Sequence, residues 1–335
     1  MIHLRGTKTG KKEMARKGYW EMIITDYFKS ERDLTWDYAR QCGVNHGVIR
    51  LPEDAEFDIC DPSHWKSVYK RFTDFGIRPL VIEPMPNGLH DHIKAGDEKR
   101  DEAIDKVIKM LPIMDSLDIR TICFNFMAHV GWLRTNHAVE ERGGALVTGF
   151  DIEDYIEGPE AISEEQLWYN YTYFIQAVMP YAERYDIRFA LHPDDPPVPQ
   201  LGKVSRIMTS HDNIKRAVEI GNSGNLGITM CQACYRMMGE NLYEVIPEMR
   251  EKIFFVHFRN AAGNKYRFHE TFHDNGDIAM GEMIALYNKC GIDVPIRVDH
   301  VPAMAGENGN SGYTALGRLY AIGYLKGLLE GCGTT

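Results

Sequence analysis

Short apolar runs rich in β-branched and aromatic residues recur eight times along the chain, at residues 21–27, 47–51, 78–84, 119–126, 187–193, 225–231, 253–260 and 294–300. Longer stretches of helical spacing separate them, most clearly 97–117, 164–185, 211–220 and 280–290. Several runs are introduced by a helix-ending residue and a β-branched one: Gly76-Ile77, Asp118-Ile119, Asp186-Ile187 and Gly291-Ile292. Such alternation predicts a parallel sheet, because parallel neighbours need a crossover between them. Eight units is the number that closes a barrel. No Gly-rich phosphate loop follows the first run, which argues against an open dinucleotide-binding sheet. The expected fold is α/β: a single (β/α)8 TIM barrel spanning residues 1–335.

Two segments stand outside the alternation. Residues 127–163 fall after strand four, are polar and carry Gly143-Gly144; an interruption that long reads as a lid-like insertion over the active site. Residues 1–18 carry Arg5, Lys8, Lys11, Lys12, Arg16 and Lys17 with no apolar stretch behind them, so they read as a solvated basic arm and not a secretory signal.

Composition narrows the partners. With 38 basic against 48 acidic residues, the formal net charge of −10 repels nucleic acid and anionic membrane, so neither is expected as a partner. No apolar run approaches the ~18–20 residues of a membrane span. The seven cysteines, odd in number and scattered, suit a reducing cytoplasm better than a disulfide scaffold.

Barrels of this kind do their chemistry at the C-terminal ends of the strands. Strand three ends at Glu83, strand four at Asn125, strand five at His192 and strand six at Cys231; strand seven carries His257 and strand eight ends Asp299-His300. Singly, a strand-end Cys is an ordinary small buried side chain and a strand-end His an ordinary core residue. Together, His192, Cys231, His257 and Asp299 come from four consecutive strands in one register, and each is a metal-ligand type. A set of two nitrogens, a sulfur and an oxygen disfavours magnesium and calcium and leaves iron(II), manganese, cobalt, nickel or zinc. Cys231-Gln-Ala-Cys234 also reads as a redox dithiol or half a zinc ribbon, but no second Cys pair completes a ribbon and a dithiol normally opens a helix in a thioredoxin-like unit, so Cys234 is expected to be a bystander.

Around that set lie acid–base and anion-binding candidates. His300 follows Asp299 directly, so it projects differently from the ligand and is free to titrate; Tyr313 lies on the loop after strand eight. Arg259, two residues beyond His257, and Arg134, in the insertion, are expected to hold a carboxylate through paired donors. His269-Glu270 and His273-Asp274 fall in what reads as a polar loop after strand seven, divided between support of the metal ligands and plain surface.

At these residues the sequence resembles the mannonate dehydratase family, a group of xylose-isomerase-like barrels. The matching segments are Cys123-Phe-Asn-Phe-Met127, Trp132-Leu-Arg-Thr135, His192-Pro-Asp-Asp-Pro-Pro197, Thr229-Met-Cys231, Val256-His-Phe-Arg-Asn260 and Phe268-His-Glu270, followed by Gly276-Asp277, Asp299-His300, Gly306-Glu307 and Gly312-Tyr313. They run in the family's order over about residues 80–330, and the first ~70 residues resemble it weakly. The resemblance implies a TIM barrel, a divalent ion such as manganese or iron(II), and metal ligands at His192, Cys231, His257 and Asp299. It implies dehydration of the sugar acid D-mannonate to 2-keto-3-deoxy-D-gluconate, with His300 and Tyr313 as the proton-transfer pair and Asn125, Arg134 and Arg259 toward the substrate. It also suggests a homodimer.

Five positions depart from the family's pattern. Val301-Pro302 replaces a Gly-Arg pair, Ala305 a Trp, and Gly131 and Asn136 stand where Asp flanks the insertion motif. These positions are expected nearer the substrate than the metal, so a different sugar acid, or an isomerase or epimerase reaction on a related sugar, remains the alternative.

Overall fold

The runs LGITMC and IFFVHF are buried at every residue, the pattern of parallel strands covered on both faces. The computed structural model describes residues 22–308 and 312–333; the basic arm lies outside the described residues. The strands in chain order are β1 (Ile23–Phe28), β2 (His46–Ile49), β3 (Arg78–Ile82), β4 (Thr121–Phe124), β5 (Asn136–Glu140), β6 (Leu146–Asp151), β7 (Arg188–Leu191), β8 (Gln200–Leu201), β9 (Val204–Ser205), β10 (Leu226–Cys231), β11 (Ile253–Phe258), β12 (Ala261–Asn264), β13 (Arg267–Glu270) and β14 (Pro295–Val298).

Eight of these close a parallel barrel in chain order, β1-β2-β3-β4-β7-β10-β11-β14, with β14 pairing back onto β1. All eight coincide with the runs read from the sequence. Gly76, Asp118, Asp186 and Gly291 have φ of 85°, 56°, 50° and 67°, the left-handed conformation that ends a helix and turns the chain into the next strand. Ser163 and Ser210 cap the helices Glu164–Arg184 and His211–Gly221 by accepting from Gln166 N and Asn213 N.

Inside the barrel, Val48, Val81, Cys123, Ala190 and Phe255 form a small cluster apart from the main core. Val48 pairs with Val81 and Cys123 with Ala190, so the cluster is a layer of side chains plugging the interior. His257 stands one strand repeat beyond Phe255, their rings 4.9 Å apart and nearly perpendicular. The site is therefore built on top of a packed plug.

The insertion differs from expectation. It does not form a loose polar loop; β5 and β6 make a hairpin that pairs through β6 with β13, giving a four-stranded antiparallel sheet β12-β13-β6-β5. The polar loop expected after strand seven is likewise the hairpin β12–β13. The misreading has a physical cause: β5 is an edge strand with nearly every residue exposed, so its sequence looks like loop. Gly143 and Gly144, with φ of 70° and 81°, supply the turn. The insertion does reach the site, because the Trp132 ring packs edge-on against His300 at 5.3 Å.

Candidate metal centre and active site

The strands β7, β10, β11 and β14 are consecutive in the barrel, so their ends open into one sector of the mouth. His192 follows β7, Cys231 ends β10 in register with His257 of β11, and Asp299 follows β14. His192 Nε2 lies 3.2 Å from His257 Nδ1, and His257 Nδ1 lies 3.4 Å from Asp299 Oδ2. Donor atoms of Cys231, His257 and Asp299 all lie within 4.8 Å of one another, as do those of His192, Cys231 and Cys234. Ligands held ~2.0–2.3 Å from one cation stand roughly 3–4 Å apart, so this donor set fits a divalent ion. His192 Nδ1 is 2.6 Å from Pro193 O, which places its proton there and leaves Nε2 as the free nitrogen.

Charges behind the ligands point the same way. Burial pushes the Cys231 thiol up, but the Cys234 thiol, the Arg259 guanidinium and His192 outweigh it and hold Cys231 well below the ordinary range, favouring thiolate. Asp299 is also held well below its usual value, since Arg297 above all overcomes the cost of burial. Arg297 Nη1 donates to Asp299 Oδ1 at 2.8 Å, leaving Oδ2 toward His257. The same guanidinium donates to Glu83 at 2.8 and 3.2 Å, and Glu83 Oε1 sits 2.9 Å from His257 Nε2, off the line of a straight hydrogen bond. Cys123, whose thiol donates to Glu83, is pushed up to about 12 by burial and that carboxylate.

Arg134 and Arg259 require a correction. All five N–H donors of Arg134 are taken: by Leu133 O at 2.7 Å, Asp195 at 2.8 and 2.9 Å, and Glu270 Oε1 at 2.6 and 3.3 Å. Arg259 donates to Asp195 at 2.7 Å and to Glu270 at 2.6 and 2.9 Å, and its Nη1 also reaches the sulfurs of Cys231 and Cys234. Both are buried, and neither presents a free fork to a substrate carboxylate. They neutralise two buried acids of the protein instead, and Asp195 and Glu270 stay ionised despite burial because of them.

That network ends at His300. Its Nδ1 lies 2.9 Å from Glu270 Oε1 and its Nε2 3.1 Å from the Tyr313 hydroxyl. His300 has φ of 40°, the left-handed turn that sends it a different way from its neighbour Asp299. Tyr313 is 41% exposed at its ring, yet its hydroxyl end is enclosed, and burial followed by the charge of Asp299 raises it above an ordinary tyrosine. Asn125 is half-buried just past β4, its Oδ1 accepting from Met127 N at 3.2 Å. Of the two His-acid pairs after strand seven, Glu270 alone joins the cluster. His269 lines a cavity of about 480 Å³ on the four-stranded sheet, and buried His273 binds Phe258 O at 2.7 Å.

Sequence reasoning missed Asp195 and Arg297. Arg297 had a readable signal: it precedes Asp299 by two on one strand, the same spacing as His257 and Arg259. Asp195 lies in the matching segment His192-Pro-Asp-Asp-Pro-Pro197, but its partners are 61 and 64 residues away, so nothing beyond the resemblance marked its role.

Matches to known proteins follow this geometry. The D-mannonate dehydratase (UxuA) family model matches residues 20–160 and 151–334. The chain belongs to this family. A mannonate dehydratase of Streptococcus agalactiae is 33% identical over 290 residues, 76% of this chain and 82% of that one. Mannonate dehydratase 2 of Halalkalibacterium halodurans is 32% identical over 88% of this chain and 94% of its own length. The crystal structure of mannonate dehydratase from Streptococcus suis serotype 2 superposes with a TM-score of 0.82 at 25% identity, covering 93% of this chain and 94% of that one. A xylose isomerase domain protein of Planctomyces limnophilus shares the fold at a TM-score of 0.60 and 14% identity. This mannonate dehydratase family member is accordingly an enzyme of the hydro-lyase kind, with clustered side chains of the types that hold a divalent metal.

Of the departures from the family's pattern, Val301 directly follows His300, and its backbone pairs with Gly312, the neighbour of Tyr313. Val301 is buried against Gly317 of the last helix, and Ala305 and Asn136 are exposed. The Gly131 carbonyl accepts from Arg206. Among the described residues no helix is long and apolar enough to cross a membrane.

Proposed function

We propose that this protein dehydrates D-mannonate to 2-keto-3-deoxy-D-gluconate, with manganese or iron(II) held by His192, Cys231, His257 and Asp299. The observation that carries the reading is the chain Glu270–His300–Tyr313, in which His300 Nε2 lies 3.7 Å from Oδ1 of the proposed ligand Asp299. Dehydration needs one group to take the C2 proton and another to protonate the departing 3-hydroxyl. When bound, the cation supplies Lewis-acid stabilisation of the negative charge that develops toward the substrate carboxylate.

Glu270 accepts from His300 Nδ1, so Nε2 carries the lone pair and is the base. Tyr313, raised above its ordinary value, stays protonated across the neutral range and is the acid. Their 3.1 Å contact lets the proton taken by one be relayed to the other between turnovers. Arg134 and Arg259 act by holding Glu270 and Asp195 in place. Asn125 is assigned to a substrate hydroxyl. The altered family positions adjoin this chain at Val301 but take no part in its side-chain hydrogen bonds, Glu270 to His300 and His300 to Tyr313.

The test is protein reconstituted anaerobically with manganese or iron(II) and offered D-mannonate beside other hexonates, with 2-keto-3-deoxy acid as the readout. Turnover on D-mannonate that chelator abolishes is expected. Solvent deuterium entering C2 with no keto-acid product would replace this reading with an epimerase.

A further inference from the structure

Cys234, expected to be a bystander, is 1% exposed, and its sulfur falls in one donor group with Cys231 and His192. Arg259 Nη1 lies 3.5 Å from the Cys234 sulfur and 3.6 Å from that of Cys231, so one guanidinium holds both sulfurs on the same side. Cys231 is the last residue of β10, and Cys234 is in the first turn of the helix Gln232–Met238 that follows. A second thiol is thus within reach of a thiolate assigned to the metal. The remaining cysteines are elsewhere: Cys123 donates to Glu83, and Cys42, Cys60, Cys290 and Cys332 are half-buried outside the site.

We propose that Cys231 and Cys234 are a peroxide-sensitive dithiol whose oxidation to a disulfide ejects the metal. In the first step the Cys231 thiolate attacks hydrogen peroxide; an S–O bond forms, the O–O bond breaks, and the hydroxide released takes a proton from solvent and leaves as water. In the second, the Cys234 sulfur attacks the Cys231 sulfur; the S–S bond forms, the S–O bond breaks, and a second water leaves with the Cys234 proton. The thiolate and the thiol together lose two electrons, and one peroxide with one proton from solvent becomes two waters. The Cys231 sulfur, now bonded to Cys234, is no longer a thiolate ligand, whereas a lone thiolate would go on to sulfinate without recovery. The pair converts irreversible damage into a reversible stop.

Ejection of the metal rests on the ligand set proposed above; formation of the disulfide does not. The experiment uses the manganese-loaded protein, which avoids iron–peroxide radicals, treated with hydrogen peroxide and quenched with catalase. Expected is a loss of about 2 Da on the peptide holding both cysteines, a tenfold or greater drop in retained manganese, and recovery of both with dithiothreitol and fresh metal. Cys234→Ser, with Cys234→Ala as the second variant should the first not fold, is expected instead to gain oxygen at Cys231 and not to recover. Oxygen addition in the wild-type chain without the disulfide, or recovery of the Cys234 variants equal to wild type, overturns the proposal. A disulfide that forms while manganese stays bound overturns the ejection step and removes Cys231 from the ligand set. Should the protein bind no manganese, the ligand reading fails, and the mass of the treated metal-free chain still decides whether the dithiol exists.

Discussion

Glu270 Oε1 stands 2.9 Å from His300 Nδ1, and the same oxygen receives Nη2 of both Arg134 and Arg259 at 2.6 Å. One carboxylate oxygen thus fixes the tautomer of the proposed base and anchors two buried cations. His300→Asn is expected to remove the base while leaving the fold intact, because Asn tolerates the 40° φ at this position. Keto-acid formation should fall by roughly 10²–10⁴ with metal content unchanged. Tyr313→Phe removes only a hydroxyl from a half-exposed ring and is expected to show a comparable fall in kcat without a change in Tm. Full activity in either variant removes that residue from the proton-transfer pair.

The correction to Arg134 has an energetic consequence. Were it a substrate clamp, Arg134→Met would raise KM and leave stability alone. As the partner of Asp195 and Glu270, both buried, its loss leaves two acids sharing one guanidinium, and the chain is expected to lose about 3–5 kcal/mol in urea denaturation. Arg134→Lys rescues little, since an ammonium cannot fill five directed contacts. A stable Arg134→Met protein with a raised KM would restore the clamp.

Cys231→Ser separates the metal centre from the fold. Serine keeps the shape of the side chain, with a smaller oxygen in place of sulfur, but gives up the thiolate. The variant is expected to hold its circular dichroism spectrum and lose bound metal and turnover together. Retention of both metal and activity would strike Cys231 from the ligands.

How much of this was legible in the sequence follows from what each residue depends on. The barrel strands and the four proposed ligands show because hydrophobic alternation and strand-end position are local facts, repeated in the same register. The expected strands ran on past the observed ladders, to 84, 126, 193, 260 and 300, because strand character fades gradually into the loops that carry the site. The insertion misled because an exposed edge strand such as β5 differs from a loop only by its partner β6, and β6 is in turn held by β13, more than a hundred residues on. The fate of Arg134 was hidden for the same reason: its charge was readable, but whether Asp195, Glu270 or a substrate would claim it depends on folding.

Glu83 offers a test of the layer behind the ligands. It faces His257 Nε2 at 2.9 Å and binds Arg297, which in turn holds Asp299. Glu83→Gln retains the shape and weakens the hold on both ligands at once. Metal affinity is expected to fall by about 10–100-fold, read by competition with a chromophoric chelator. Unchanged affinity would make Glu83 a charge-balancing partner of Arg297 alone.

His273 sets the acid side of the stability profile. Burial lowers it from 6.5 to about 4, although Phe258 O accepts from Nε2. Between those values the unfolded chain carries a proton on this ring that the folded chain does not, so unfolding takes up a proton and stability falls as pH falls. The loss begins near pH 6.5 and is complete below about 4, where it reaches roughly 3 kcal/mol. His90, buried beside Lys94, shifts the same way and adds to the slope. The carboxylates of Asp195 and Glu270 are lowered, so their stabilisation is lost only further into acid. Urea denaturation between about pH 6.5 and 4.5 therefore reads the histidines. His273→Gln keeps an N–H for Phe258 O and cannot titrate; its stability is expected to fall less steeply with acid, by close to one proton. Parallel slopes for the two proteins would show that His273 is not the group responsible.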